Sequence, residues 1–600
     1  MVKSKFKKSL FYIKKYRTLS VAIFLFVAFG SLLEVFSVGL LFPILQGVMG
    51  SKNIFAGIPF LAGFDSGLAG WPSSDMLSVL LGAFLLAFTV RSVVFYLGNV
   101  MISKQRFLVT RDLQFEFFEK LMDAGISFYD STKSGYIINS IHNETTRIGN
   151  FINCMLRIFA MSVRMAVNVV ILIAISWKFT AVAFTVFLVL RVPLYLIIKN
   201  IKQIGISVNR AIADLNFIVL EAVNGIRLIR IHSAEEYEKK RFRRSAMHVY
   251  GLNYSNLKRS ESIMPFTQIA FLGVFVILFI IVIKSSGVDL AKTLPFIVAY
   301  LYVAKNVLGD FTAFQDRRAE AASYIGSFDS YEDLVRKIDS TIDSAGDIVF
   351  TGLKNSIRFD DVSFGYSPDK KVLSGITFSI AKNRTTALVG HSGTGKTTLV
   401  YLLLAFYKIS SGRILVDDLD LRSLDMKSWR SKIGFVSQDV FIFNASAREN
   451  IAYGNPNATD DQVRAAAKTA EIDEYLSGLP NGYDTILGER GVKVSGGQRQ
   501  RISIARALMQ DPEILILDEA TSHLDTQTER QIQDAIEKLA KDRTVLVIAH
   551  RLSTILAADN ILVLSGGKII ESGTHSELMK SGMQYKNLYE TQFQQNHVSL

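Results

Sequence analysis

The sequence predicts an α-helical membrane domain followed by an α/β domain of parallel strands, and three observations support this. The chain has 600 residues, more than one hydrophobic core usually supports, so at least two domains are expected. Residues of hydrophobic type make up 49% of it, mean hydropathy is +0.27, and the apolar surplus sits in the first half. The second half instead alternates short apolar runs with glycine-containing turns and helical patterns, starting near Ile357.

Six stretches of the first half are long enough to cross about 30 Å of hydrocarbon. They run roughly Leu19–Met49, Met76–Val100, Phe151–Ser176, Phe179–Ile198, Phe266–Ile283 and Leu294–Phe314. Trp177 and Lys178 separate the third from the fourth so closely that only a tight hairpin fits. Met1 to Arg17 carries seven Lys or Arg, interleaved with Phe, Leu, Ile and Tyr. This pattern suits a basic interfacial helix that keeps the N-terminus in the cytoplasm. The apolar run after it is too long for a cleavable signal. With the N-terminus inside, the long charged segments from Ser103 to Asn150 and from Lys199 to Lys258 are also cytoplasmic. Their Lys/Arg content agrees with that topology. The first outer loop, Ser51 to Asp75, reads either as a short interfacial helix or as a solvated loop. A polar, acidic stretch then links the halves, which gives three segments: a membrane domain over 1–320, a linker over 321–350 and a second domain over 351–600.

The net charge of +13 does not point to nucleic acid, because no basic patch with interleaved aromatics accompanies it. The single cysteine, Cys154, excludes an internal disulfide and reads as a small apolar helix residue. Charge inside the spans is more informative. Arg157 and Arg164 lie two turns apart on one face of the third span. Arg91 on the second and Arg191 on the fourth add two guanidinium groups, and Glu34 on the first is the only acid expected at that depth. A central charge costs roughly 2.5–3.5 kcal/mol on insertion scales, so each should face the bundle interior or water. Two readings stay open. Arg157 snorkels to the interface while Glu34 pairs with an arginine, or the arginines hold an anionic head group by bidentate hydrogen bonds.

In the second half, Gly390-His391-Ser392-Gly393-Thr394-Gly395-Lys396-Thr397 fits the phosphate-loop pattern, between an apolar strand and a helix start that includes Thr398. Such a turn cradles phosphates with backbone N–H groups. Lys396 reaches the β/γ-phosphates and the Thr397 hydroxyl suits Mg²⁺. Much later, Ile514-Leu515-Ile516-Leu517 ends in Asp518 and Glu519. Asp518 suits Mg²⁺ coordination and Glu519 suits polarisation of an attacking water.

Between these motifs lies Val494-Ser495-Gly496-Gly497-Gln498, and here the chain resembles the ATP-binding cassette family, whose signature reads L-S-G-G-Q. Val replaces Leu, while the Ser and glycines are intact. The resemblance extends to Gln438 as the Q-loop residue, His550 as the switch histidine and Asp525 in the D-loop, where His523 replaces the usual Ala. It also makes Tyr366 the aromatic that stacks on adenine. It implies an exporter-type six-helix transmembrane domain fused to an α/β P-loop ATPase that binds ATP and Mg²⁺, with Gln438 as a further Mg²⁺ contact. Phe128 to Arg147 and Glu221 to Glu235 resemble the transverse tips of the cytoplasmic hairpins, and Gly488-Glu489-Arg490-Gly491 resembles an element found in exporters.

In that family the signature of one cassette closes over nucleotide held by another. A chain with every element intact is therefore expected to act as a homodimer, with a heterodimer as the alternative. The resemblance implies an ATP hydrolase coupled to export or flipping, in the cell (inner) membrane with its ATPase domain cytoplasmic. Leu33 to Pro43 is similar to the first helix of transporters of lipid-linked glycans. An amphipathic lipid or lipid-linked oligosaccharide is therefore the first expectation for the substrate, and a multidrug or peptide exporter the alternative. An ATP-gated channel fits less well because the site is not degenerate, and a soluble ATPase fails on the six spans.

Overall fold

The computed structural model describes residues 12–48, 73–262, 290–342, 346–367, 370–518, 526–549 and 555–591, with scattered positions in 263–289. Most of the fifth span, most of the first outer loop, the first eleven residues, Glu519, His523, Asp525 and His550 lie outside the described residues, as does the Arg191 side chain. The chain divides into two units, Met1–Ala124 with Phe128–Ile342, and Asp343–Leu600 with Gly125–Ser127.

The first unit is helical throughout its described part. Its long helices are α1 (Arg17–Val48), α2 (Ser73–Asp123), α3 (Thr145–Ile175), α4 (Trp177–Asn224), α5 (Glu235–Glu261) and α6 (Leu290–Thr341). Among the described residues, four helices are long and apolar enough to cross a membrane. At 51 residues α2 is about 76 Å long, far more than a bilayer needs. Short helices at Ile126–Ser131, Ser134–Asn139 and Ile226–Ile231 occupy the tips predicted from sequence. The α3–α4 break is a single residue. Ser176 leaves the helical region at φ −161°, and its side chain accepts from the Phe179 backbone N–H at 3.4 Å, so it caps α4.

A buried apolar stripe on α2 (Val109, Leu113, Phe117) meets α3 and α6, with Phe151 edge-on to Phe328 at 5.2 Å and Phe117 against Tyr331 at 5.6 Å. Gly149 on α3 permits the closest crossing, because a Cβ there would lie 2.1 Å from the Thr110 hydroxyl oxygen. Most of the stretch read from sequence as a linker is helical. Residues 321–341 continue α6, and Phe328, Tyr331, Leu334 and Ile338 are buried one or two turns apart. A polar, acidic average concealed a helical stripe.

The second unit has two sheets. An antiparallel one is ordered β2 (Leu373–Ala381), β1 (Ser356–Phe364), β4 (Ser411–Val416), β5 (Leu419–Asp420). The larger sheet is ordered β10 (Lys568–Gly573), β9 (Asn560–Ser565), β3 (Thr385–Val389), β8 (Thr544–Ile548), β7 (Ile514–Asp518), β6 (Ile433–Val436). Strands β9, β3, β8, β7 and β6 are parallel neighbours, and the central ones read as continuous apolar runs because both faces are covered. Four helices matter for the site: α7 (Lys396–Leu403), α8 (Ala447–Ala452), α9 (Gly496–Leu508) and α10 (Thr526–Ala540).

Candidate nucleotide site and intramembrane polar layer

Parallel pairing brings the sequence motifs to one sheet edge. Leu388 on β3 pairs with Ile548 on β8, Ile548 pairs with Asp518 on β7, and Leu517 pairs with Val436 on β6. The glycine-rich loop leaves β3 there and Asp518 ends β7, while Gln438 follows β6 by two residues. The Ala549 N–H donates to the Leu388 carbonyl at 3.1 Å, so the chain reaches this edge immediately before His550. Ligands of open α/β sheets bind at this carboxyl edge of the strands.

The loop itself needs glycine. Gly390 has φ +159° and a Cβ there would meet the Leu564 carbonyl oxygen at 2.3 Å, while Gly395 at φ +105° would push a Cβ to 2.8 Å from Leu373. The turn delivers the chain into α7, whose N-terminal amides and dipole favour an anion. Lys396 is buried, and its Nζ donates to the carbonyls of Gly390 (2.8 Å) and His391 (3.0 Å), so the loop wraps its own cation. His391, Ser392 and Gly393 are exposed and Thr397 is half-buried, whereas Thr398 points away from solvent and shares a 3.1 Å hydrogen bond with the Tyr366 hydroxyl. Tyr366 is 55% exposed and is held edge-on between Phe364 (5.0 Å) and Tyr407 (5.3 Å), which leaves a supported ring at the mouth of the loop. The residues present suit a nucleotide with Mg²⁺: glycine backbone where side chains cannot fit, a buried lysine, and a hydroxyl and a carboxylate at one edge.

The signature caps a helix. The Ser495 hydroxyl accepts from the Gln498 N–H at 3.3 Å, and Gln498 Oε1 accepts from the Ser495 N–H at 2.8 Å, a reciprocal box that opens α9. Gln498 therefore acts within its own helix. Ser495 and Gly496 are exposed and Gly497 is buried. Val494, the departure from L-S-G-G-Q, is 5% exposed in the core, where a shorter branched side chain fills the same role.

In the membrane unit the charged residues of the spans fall into two groups. Glu34, 4% exposed, pairs with no arginine among the described side chains. Its Oε1 accepts from Asn168 (3.3 Å) and Asn306 (3.1 Å). Arg164 instead pairs with Asp310 on α6 at 2.6 Å, so Glu34 is not the sole acid at that depth. The second group surrounds Phe95. Arg91 and Arg164 place their guanidinium carbons 5.6 and 5.1 Å from the ring centroid, and Arg157 and Arg164 line a cavity of about 30 Å³ beside it. Arg157 donates to Asn153 (2.8 Å) and Asn99 (3.0 Å), and Arg91 Nη1 is buried without a hydrogen-bond partner among the described residues. Sequence reasoning missed Asp310 and the asparagines. The available signal was their helical spacing, since Asn153 and Arg157, Arg164 and Asn168, and Asn306 and Asp310 are each four apart.

Comparison with known proteins agrees with this geometry. Residues 373–522 match the model described as ABC transporter, and residues 20–302 match that of the ABC transporter transmembrane region. The chain is 35% identical over 571 residues to the heterocyst differentiation ATP-binding protein HepA of Nostoc sp., covering 95% of this chain and 93% of that one. It is 34% identical over 510 residues to an ATP-dependent lipid A-core flippase of Saccharophagus degradans, covering 84% and 85%. A solved bacterial Atm1-family ABC exporter with ATP bound is similar at a TM-score of 0.78 and 26% identity, covering 96% and 98%. The chain therefore belongs to the ABC transporter family. It is a multi-pass membrane protein in which an exporter-type transmembrane region is fused to an ABC ATPase that couples ATP hydrolysis to transport.

Proposed function

We propose that two copies of this chain form a homodimer in the inner membrane, with N-terminus and ATPase domain cytoplasmic. In this reading the dimer flips an anionic amphipathic lipid or lipid-linked oligosaccharide or polysaccharide precursor. The adenine stacks on Tyr366. The phosphates lie on the amides of Gly390 to Thr398, with Lys396 and the α7 dipole neutralising their charge. Ser495, Gly496 and Gly497 of the second copy close the same phosphates from the other side, and Asp525 sits at that junction. Thr397, Gln438 and Asp518 would hold Mg²⁺, which when bound spreads phosphate charge. Glu519 orients the attacking water and His550 contacts the γ-phosphate. Once the γ-phosphate leaves, the charge that held the two cassettes together is gone, and Gln438 reports the change.

The observation that carries the anionic substrate is the state of two arginines. Among the described residues Arg91 keeps a buried Nη1 without a partner, and Arg157 is bonded by neutral amides. Neither has a carboxylate in ion-pair contact among the described residues, and desolvated guanidinium groups recognise phosphate by paired N–H donors. Arg164 is already neutralised by Asp310. Arg191 and Glu34 complete the set of charges expected in the spans, Glu34 as a buried polar tie. Relatives named as ATP-dependent lipid A-core flippases favour a lipid substrate. The test is ATPase stimulation and flipping in proteoliposomes containing phosphate-bearing lipids, zwitterionic lipids or cationic amphiphiles. Phosphate lipids should stimulate turnover, and Arg91→Gln/Arg157→Gln should lose that stimulation. Stimulation and movement of cationic amphiphiles alone would exclude the anionic reading.

A further inference from the structure

Arg506, eleven residues into α9, lies outside the nucleotide site, yet it is tied to the segment that carries Gln438. Its Nη1 donates to the Phe441 carbonyl at 3.1 Å, its Nε to the Asn450 carbonyl at 2.9 Å and its Nη2 to Asn450 Oδ1 at 3.1 Å. Asn450 on α8 is fully buried. Its Oδ1 also accepts from the Phe443 N–H at 2.9 Å, and its Nδ2 donates to the Phe443 carbonyl at 3.0 Å. The guanidinium group lies 5.9 and 5.7 Å from the ring centroids of Phe443 and Tyr453, which stack on each other at 4.5 Å. Among the described residues no carboxylate pairs with Arg506, and burial pushes its pKa down. The fork has been taken from water to bind main-chain oxygens.

A second tie lies nearer the signature. Buried Gln500 on the same helix directs its Nε2 to the Ser437 carbonyl at 3.5 Å. The loop after β6 is thus fastened to α9 on both sides of Gln438, at Ser437 and at Phe441 to Phe443. The same helix carries Ser495 at its N-cap. The two fastenings are six residues apart on α9, about 9 Å along it. A loop pinned at two such points cannot shift at Gln438 without moving the helix.

We infer that Arg506 is a positioning residue for hydrolysis, coupling the displacement of Gln438 at its own copy's nucleotide to the placement of the signature helix, which closes over the nucleotide of the other copy. This rests on the roles proposed above for Gln438 and Ser495. Arginine suits the role because its planar fork reaches oxygens on Phe441 and Asn450 together, whereas lysine offers a single point. ATP capture by the phosphate loop and Tyr366 does not involve Arg506, so its loss should appear in kcat and not in KM.

The test is a double-mutant cycle on full-length protein in proteoliposomes, with Arg506→Gln and Gln438→Ala alone and together. Arg506→Gln should lower kcat about tenfold with KM for ATP changed less than about twofold. In the Gln438→Ala background the same substitution should cost less than about twofold, because the group it acts through is gone. An equal loss in both backgrounds, no loss at all, or a loss confined to KM overturns the inference. Should Arg506→Gln lack the parent's thermal unfolding transition, Gln500→Met, which cuts the other fastening, carries the same cycle with the same criteria. If Gln438→Ala and Ser495→Ala each hydrolyse ATP normally, the site reading itself fails and the inference falls with it. If they are impaired while the cycle is additive, only the inference falls.

Discussion

The Arg164–Asp310 pair allows a quantitative test of what the charges in the spans do. Its atoms are 2.6 Å apart, with the side chains 24% and 14% exposed, and it joins α3 to α6. At an effective dielectric near 20 the gross attraction is about 6 kcal/mol, most of which offsets the cost of removing two ions from water. Breaking the pair from one side leaves an uncompensated charge, so Asp310→Asn or Arg164→Gln should each cost about 3–5 kcal/mol. Arg164 also loses its contact with Phe95, worth about 1 kcal/mol, and so should lie at the upper end. The double neutral variant should cost far less than the sum, with a coupling of about 2–4 kcal/mol. Denaturation of purified protein in detergent would measure all four corners. Additive losses would refute the buried-pair account. The pair also bears on substrate: Asp310→Asn releases Arg164, so phosphate lipid should stimulate the ATPase at lower concentration. Unchanged half-maximal stimulation would mean that Arg164 does not face the substrate path.

Three further outcomes are expected. Glu519→Gln should bind ATP but turn over slowly and accumulate a dimer on size-exclusion chromatography, and ordinary hydrolysis would remove that carboxylate from its proposed role. Gly149→Ala should destabilise the α2–α3 crossing by about 1–3 kcal/mol, because the new Cβ would lie 2.1 Å from Thr110 Oγ1, and Thr110→Ala should restore the loss. Asp417 is subject to burial, which raises its pKa, but backbone N–H groups of Lys354 (2.5 Å), Asn355 (2.6 Å) and Ser356 (3.0 Å) outweigh it and hold the carboxyl low. A depressed folded pKa means that its stabilisation is complete above about pH 4 and lost as pH falls through the folded value. Asp417→Asn should flatten acid unfolding monitored by circular dichroism.

What the sequence disclosed follows the range over which each signal acts. The phosphate loop and the hairpin near Trp177 are decided by neighbours a few residues apart, so pattern and spacing sufficed. Within the expected linker the helical stripe went unread because polar content was averaged over 321–350, whereas burial of Phe328, Tyr331, Leu334 and Ile338 depends on phase along the helix. Arg164 found its partner 146 residues away. Depth alone offered Glu34, and only the packing of α3 on α6 brings Asp310 to Arg164. Arg506 was passed over for the same reason: its partners are main-chain oxygens in a distant loop, and carbonyls have no signature in sequence.

The signature serine poses a last question, whether Ser495 acts by starting α9 or by touching nucleotide. Its Oγ accepts the Gln498 N–H, which uses one lone pair of a hydroxyl that still has a proton to donate. Capping needs only the acceptor, and a phosphate contact needs the donor. Asn and Asp cap helices about as well as Ser, so Ser495→Asn and Ser495→Asp should leave thermal stability near that of the parent, whereas Ser495→Ala should lose about 1 kcal/mol. The two differ at the phosphate: the Asn amide can still donate a hydrogen bond, while the Asp carboxylate sets like charges against each other. The Asn variant should therefore retain part of the hydrolysis and the Asp variant nearly none, with KM for ATP altered less than kcat because capture on Lys396 precedes closure. Equal activity in the two, tracking stability alone, would confine Ser495 to its cap and remove it from the proposed closure between copies.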